Sequence, residues 1–188
     1  MAEANEVILS TKASSENSEE MYWYAMRVTY RRELKVKDYL DERRVESYIP
    51  MHYVMLTERG RKRRKLEPAI HNLIFIHTSQ STIQQIKQRI DYLQYTINRN
   101  GEKIVVPHAQ MEQFMSISKV EDESLRFFTP DQLDLTKGDK VRIHGGALDG
   151  HEGIFVKIKG IRSKRVVITI PEIAAVAIEV APDLIEKI

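Results

Sequence analysis

KGDKVRIHGGALDGHEGIFVKIK, residues 137–159, carries the strongest fold signal in the chain. Two runs rich in β-branched residues, 140–144 and 154–158, flank a segment with Gly145, Gly146, Gly150 and Gly153. Val141 and Ile143, then Ile154, Val156 and Ile158, alternate with Lys140, Arg142, Lys157 and Lys159. That is the period of a half-buried strand. Gly146, Gly150 and Gly153 fall where the chain is expected to turn, because glycine takes positive φ at no steric cost. On spacing alone the stretch is a β-hairpin with a long loop.

Downstream, residues 160–188 are dense in Val and Ile, with turns expected at 160–163 and at Pro171-Glu172. Several short strands, and hence a small barrel over 137–188, follow. Upstream, 118–136 is acidic, weakly periodic and broken by Pro130, which predicts a linker. Residues 1–20 are rich in Ser, Glu, Asn and Ala and predict a disordered tail.

Between tail and linker, 21–117 reads as one α+β unit. Residues 21–28, MYWYAMRV, suit a strand, and 31–44 a helix with Val36, Tyr39 and Leu40 on one face. Residues 47–57 are extended, with Pro50 at an edge or bulge. The run 58–67, ERGRKRRKLE, packs six basic residues around Gly60 and predicts a cationic hairpin tip within 51–76. Leu73, Ile74, Phe75 and Ile76 are consecutive, as in a strand covered on both faces. A second helix is expected over 79–90, capped by Ser81 with Gln84 in the capping-box place. A short strand at 93–97, a turn at Asn100-Gly101 and a return at 103–106 precede a third helix that opens at Pro107.

The Gly-Asp-x-Val-x-Ile start and the glycine spacing of 137–159 resemble the KOW motif of ribosomal proteins and of the NusG family of transcription elongation factors. Trp23-Tyr24-Ala25, Tyr48-Ile49-Pro50 and Asn72-Leu73-Ile74-Phe75-Ile76 are similar to residues of that family. The likeness runs from about Tyr22 to Ile188. Ile70-His71-Asn72-Leu73 stands where many members have Pro-Gly-Tyr or Pro-Asn-Tyr. Pro68–Ile76 and Arg27-Val-Thr-Tyr30 look closer to the UpxY-like antiterminators of capsular polysaccharide operons. The resemblance implies an N-terminal α/β sandwich, with an antiparallel-rich sheet flanked by helices, followed by a small SH3-like barrel. It also implies transcription elongation or antitermination as the function. The first domain would bind the clamp helices of the RNA polymerase largest subunit through Ile70, Leu73, Phe75 and Tyr95. The cationic tip would meet DNA of the transcription bubble, and the barrel a ribosomal protein or termination factor. In at least one specialised paralogue the C-terminal domain refolds into helices; here the Val/Ile density and the glycines favour strands. A KOW-type RNA-binding or ribosome-associated protein that never touches polymerase is the competing reading.

The 188 residues suffice for one large domain or two small ones, and 42% hydrophobic residues suffice for a core. The absence of cysteine excludes disulfides and thiolate metal sites. No apolar run approaches the roughly 20 residues of a membrane span, and no signal peptide is legible, so a cytoplasmic monomer is expected. Residues 1–20 hold five glutamates against one lysine, so a total of +2 leaves about +6 on the rest, a balance that suits a polyanionic partner. Six histidines without metal-ligand spacing, and no P-loop, nucleophile elbow or dinucleotide fingerprint, point away from an enzyme and from any cofactor or metal. Arg59, Arg61, Lys62, Arg63, Arg64 and Lys65 are the candidate nucleic-acid contacts, since clustered Arg and Lys bind phosphate. The competing explanation is a solvated loop that keeps a hairpin soluble.

Overall fold

A computed structural model describes residues 19–58, 60–120, 122 and 124–188. The expected N-terminal tail lies almost wholly outside them. The described chain is α+β: a helix-flanked, largely antiparallel sheet, a separate two-stranded ribbon and a small SH3-like β-barrel.

The first sheet is built on β1 (Met21–Val28), whose alternate residues serve two cores. Trp23 and Ala25 face one way, Tyr24, Met26 and Val28 the other, the two-residue period of a strand. After β1, a 3₁₀ turn (Thr29–Arg31) leads into α1 (Glu33–Asp41). The helix is shorter than the expected 31–44. Tyr30 and Arg31 sit at φ 62° and 52°, outside helical space, and the Arg31 N–H donates to Asn72 Oδ1 at 3.0 Å. Arg44, at φ 56°, lies in the left-handed region just past the C-terminal end.

β2 (Glu46–Tyr48) and β3 (Met51–Glu58) are separated at Ile49-Pro50, as the proline suggested. Among the described residues β4 (Arg61–Pro68) pairs only with β3, and β5 (Leu73–Ser79) returns to the main sheet. The basic run is the part of strand β4 next to the turn of this ribbon, with Arg61 opposite Glu58. The residues expected as one hairpin over 51–76 divide between the ribbon and a central strand. β5 is covered on both faces as its apolar run required. Phe75 belongs to one core, Ile74 and Ile76 to the other.

α2 (Gln80–Arg89) is capped by Ser79, whose Oγ accepts the Thr82 N–H at 3.3 Å. Ser81, expected in that role, donates instead to the Glu19 carboxylate at 2.9 Å. β6 (Leu93–Tyr95) and β7 (Val105–Val106) both pair with β1, giving the order β2-β5-β1-β6 with β7 beside β1. α1 and α2 bury Val36, Leu40, Ile83 and Ile86 on one face of this sheet. α3 (His108–Ser118) buries Met111, Phe114 and Ile117 on the other.

The barrel starts earlier than 137. β8 (Arg126–Phe128), inside the expected linker, pairs with β12 (Ala174–Ile178). With β9 (Asp139–Ile143), β10 (Glu152–Lys157), β11 (Lys164–Ile170) and β13 (Ile185–Lys187) it forms a six-stranded sheet ordered β13-β9-β10-β11-β12-β8. Arg165, buried in β11, holds this extension down. Its Nη1 donates to the Ser124 carbonyl and its Nη2 to Glu179 Oε2 at 3.2 Å.

Candidate functional site

The ribbon places its cations by strand geometry. Arg61, Lys62, Arg63, Arg64 and Lys65 are all exposed on β4, paired in register with Glu58, Thr57, Leu56, Met55 and Val54. Arg59 lies outside the described residues. Successive side chains alternate, so the charge is split between two faces: Arg61, Arg63 and Lys65 on one, Lys62 and Arg64 on the other. The Arg64 guanidinium lies 3.9 Å from the centroid of the Tyr53 ring, a cation–π contact. Lys65 Nζ is 2.9 Å from Glu67 Oε1, and that hydrogen bond holds the Glu67 carboxyl below its ordinary range. Among the described residues, Arg61, Lys62 and Arg63 make no ion pair.

The four residues proposed for a docking groove do not share one surface. Ile70, Leu73 and Phe75 are buried in the core that contains α3. Tyr95 is opposite Met26 and packs against the other core, with Lys87 and Lys103 Nζ 4.7 and 4.3 Å from its ring centroid. Burial raises its phenol pKa, and its hydroxyl has no hydrogen-bond partner among the described residues. Tyr95 therefore belongs to the opposite face.

The apolar face that holds Ile70, Leu73 and Phe75 is closed by the barrel. One continuous core runs from Trp23 and Phe75 through Phe114 to Ile168, Ile173 and Val176. Polar contacts bracket it. Gln110 Nε2 donates to the Thr169 carbonyl at 3.0 Å, and Ser116 Oγ lies 2.6 Å from His151 Nε2. Phe127 on β8 meets Phe114, and its ring also stands edge-on to His52 at the base of the ribbon, with centroids 6.5 Å apart. A cleft of about 260 Å³ opens at the rim of the contact, lined among others by Ile70, Leu73, Glu172 and Ile173. Sequence reasoning missed this interface. The available signal was α3 itself: Met111, Phe114, Met115 and Ile117 give it apolar residues over more surface than one sheet face uses.

The three barrel glycines have two different roles. Gly146 and Gly150 sit at φ 69° and 77°, in the turns where glycine was expected. Gly153 lies in β10 instead. A Cβ there would meet Val167 O at 2.8 Å and Val166 Cγ1 at 2.7 Å, so glycine permits close strand approach at this position. The two histidines flanking the loop diverge, His144 to Glu186 at 2.6 Å and His151 to Ser116. Among the described residues no group of three or more His, Asp or Glu could hold a metal ion, and no helix is long and apolar enough to cross a membrane.

Comparison with known families matches the chain to transcription termination factor NusG over residues 21–115, just over half of the 188-residue chain. The chain belongs to the NusG family. It is thus a relative of transcription factors, and the matched span is the helix-flanked sheet and its ribbon. Among solved structures it is similar to Thermotoga maritima NusG, in a study of that protein's domain interaction. The two share 18% identity over 90% of this chain and 98% of the other, with a TM-score of 0.47. No curated protein matches the chain.

Proposed function

We propose that this NusG-family chain is a cytoplasmic, monomeric elongation or antitermination factor that acts without catalysing a reaction. Its N-terminal domain, 21–117, binds RNA polymerase and its ribbon binds DNA of the transcription bubble. The observation that carries this reading is the ribbon: consecutive exposed cations on a strand that stands apart from both larger sheets. Arg61, Lys62, Arg63, Arg64 and Lys65 are the phosphate contacts, joined by Arg59, which precedes them in the sequence.

Ile70, Leu73 and Phe75 belong to the polymerase-binding face, where a helix of the largest-subunit clamp would seat on a few apolar anchors. That face is covered by the barrel, so binding requires the barrel to move aside. The barrel, 137–188 with the β8 strand before it, then recruits a ribosomal protein or termination factor near its Gly146–Gly150 turn. Tethering raises that partner's local concentration. Gripping one closed polymerase conformation shifts the population away from paused states. The operon-specific, UpxY-like character rests on the likeness of Arg27–Tyr30 and Pro68–Ile76 to that group.

Charge reversal tests the reading. Arg61→Glu, Arg63→Glu and Arg64→Glu together are expected to weaken DNA-dependent recruitment to a purified elongation complex, and to flatten its salt dependence by roughly one unit per lost contact. Unchanged recruitment would remove the ribbon from the mechanism.

A further inference from the structure

Where the Gly146–Gly150 turn of the barrel meets α3, the contact passes through a titratable group. His151 is half-buried there, and its ring spans the two domains. Nδ1 lies 3.1 Å from the Leu148 carbonyl oxygen and 3.3 Å from that of Asp149. Nε2 lies 2.6 Å from Ser116 Oγ on α3, and that hydroxyl donates its own hydrogen to the Gln113 carbonyl at 2.9 Å.

Carbonyls only accept, so Nδ1 must carry a hydrogen here. With the Ser116 hydrogen committed to Gln113, Nε2 must donate as well. Both ring nitrogens donate only in the imidazolium. A neutral ring protonated on Nδ1 still meets Ser116, but only if the hydroxyl turns away from Gln113, which forfeits one hydrogen bond. Ser116 also stands in the last turn of α3, where the carbonyl end of a helix favours a cation.

The neighbouring charges are engaged elsewhere. Asp149 accepts the Gly145 N–H at 2.6 Å, and Glu152 pairs with Arg142. One turn to either side of Ser116, Glu112 meets His108 at 3.3 Å, and Lys119 Nζ faces the Tyr48 ring, 5.8 Å from its centroid. His52, a second imidazole at the domain contact, meets Phe127 edge-on, ring against ring.

We propose that His151 is a proton-operated latch: uptake of a solvent proton by its imidazole fastens the barrel onto α3, and loss of that proton lets the barrel move away. The closed form then holds a proton that the open form gives up. Closure is therefore favoured at low pH and weakens as pH rises through the histidine range. The latch stands on the domain contact alone. That it controls access to Ile70, Leu73 and Phe75 as a polymerase-binding face rests on the function proposed above.

The chain has no cysteine, so Gln88→Cys on the exposed side of α2 and Lys159→Cys on the barrel place one dye pair on the full chain. Single-molecule energy transfer then counts closed and open molecules from about pH 5.5 to 8.5, around the ordinary histidine value. The closed-to-open ratio is expected to fall as pH rises, by up to about tenfold per pH unit, the limit for one linked proton. His151→Gln keeps a hydrogen-bonding side chain without the charge and should leave a change of less than about twofold over the range. Ser116→Ala, at an exposed helix position, should also flatten the response, and serves should His151→Gln disturb the barrel. A ratio that stays constant or rises with pH overturns the latch, as does a closed state that persists unchanged throughout. An unaltered response in both variants overturns it too, and moves the response to His52. If the molecule opens with pH as expected but its affinity for polymerase does not follow, the latch stands and the covered docking face falls.

Discussion

At Gly153 the barrel has room for a hydrogen atom and no more, because Val166 and Val167 approach from β11. Gly153→Ala is expected to cost about 1–3 kcal/mol of stability, the range for an overpacked site, read as a lower denaturant midpoint. Another residue-scale contact ties down the last strand. Lys187 Nζ donates to Asp139 Oδ1 at 2.6 Å, and that hydrogen bond lowers the Asp139 pKa. A carboxyl lowered in the folded state contributes stability that is complete above its unfolded pKa and is lost as pH falls through the folded value. Amide protection of 185–187 should therefore be retained above the ordinary aspartate range and decline below it. Lys187→Met should remove that pH dependence. The pair is exposed, so added salt should weaken the effect.

At the scale of elements, the cap of α2 separates two serines that local sequence could not. Ser81 with Gln84 fits a capping box, yet the strand continues to Ser79 and the helix begins at Gln80. Ser79→Ala should cost about 1 kcal/mol, as loss of an N-cap does, and Ser81→Ala only a few tenths, both by thermal or denaturant unfolding. Strands with an apolar pattern were legible. β1, β5 and the β9–β10 pair lie where alternation or a continuous apolar run put them. β4 was not, because Arg-Lys-Arg-Arg-Lys has no period that separates a buried face from a wet one. It is a strand because β3 supplies its hydrogen-bond partners while its basic side chains stay in water. The candidate contacts are thus legible as residues but not as the two faces of a ribbon.

For the whole molecule, the sequence distinguished a helix-flanked sheet from a Val/Ile-rich barrel but not the contact between them. A side chain buried against another domain has the same chemistry as one buried in its own core. Leu73 and Phe75 therefore carry no mark of what covers them, and only the breadth of the apolar face of α3 points to a second layer. Arg126–Phe128 looked like linker because three residues are too few to establish a period, and their pairing partner lies far along the chain. Ile173 is the position at which to separate the two bodies. It lies in the turn between β11 and β12 and lines the cleft with Ile70 and Leu73. Ile173→Asp would place a charge in that shared apolar contact without altering a barrel ladder. Small-angle scattering should show a more extended molecule than the parent, and calorimetry should resolve two transitions in place of one. The same variant gives the most direct measurement: the affinity of the parent chain and of Ile173→Asp for a purified RNA polymerase elongation complex. The account predicts saturable binding by both, tighter for Ile173→Asp because its docking face is already uncovered. Failure of either protein to bind polymerase, with ribosomal particles or free RNA retained instead, would contradict it.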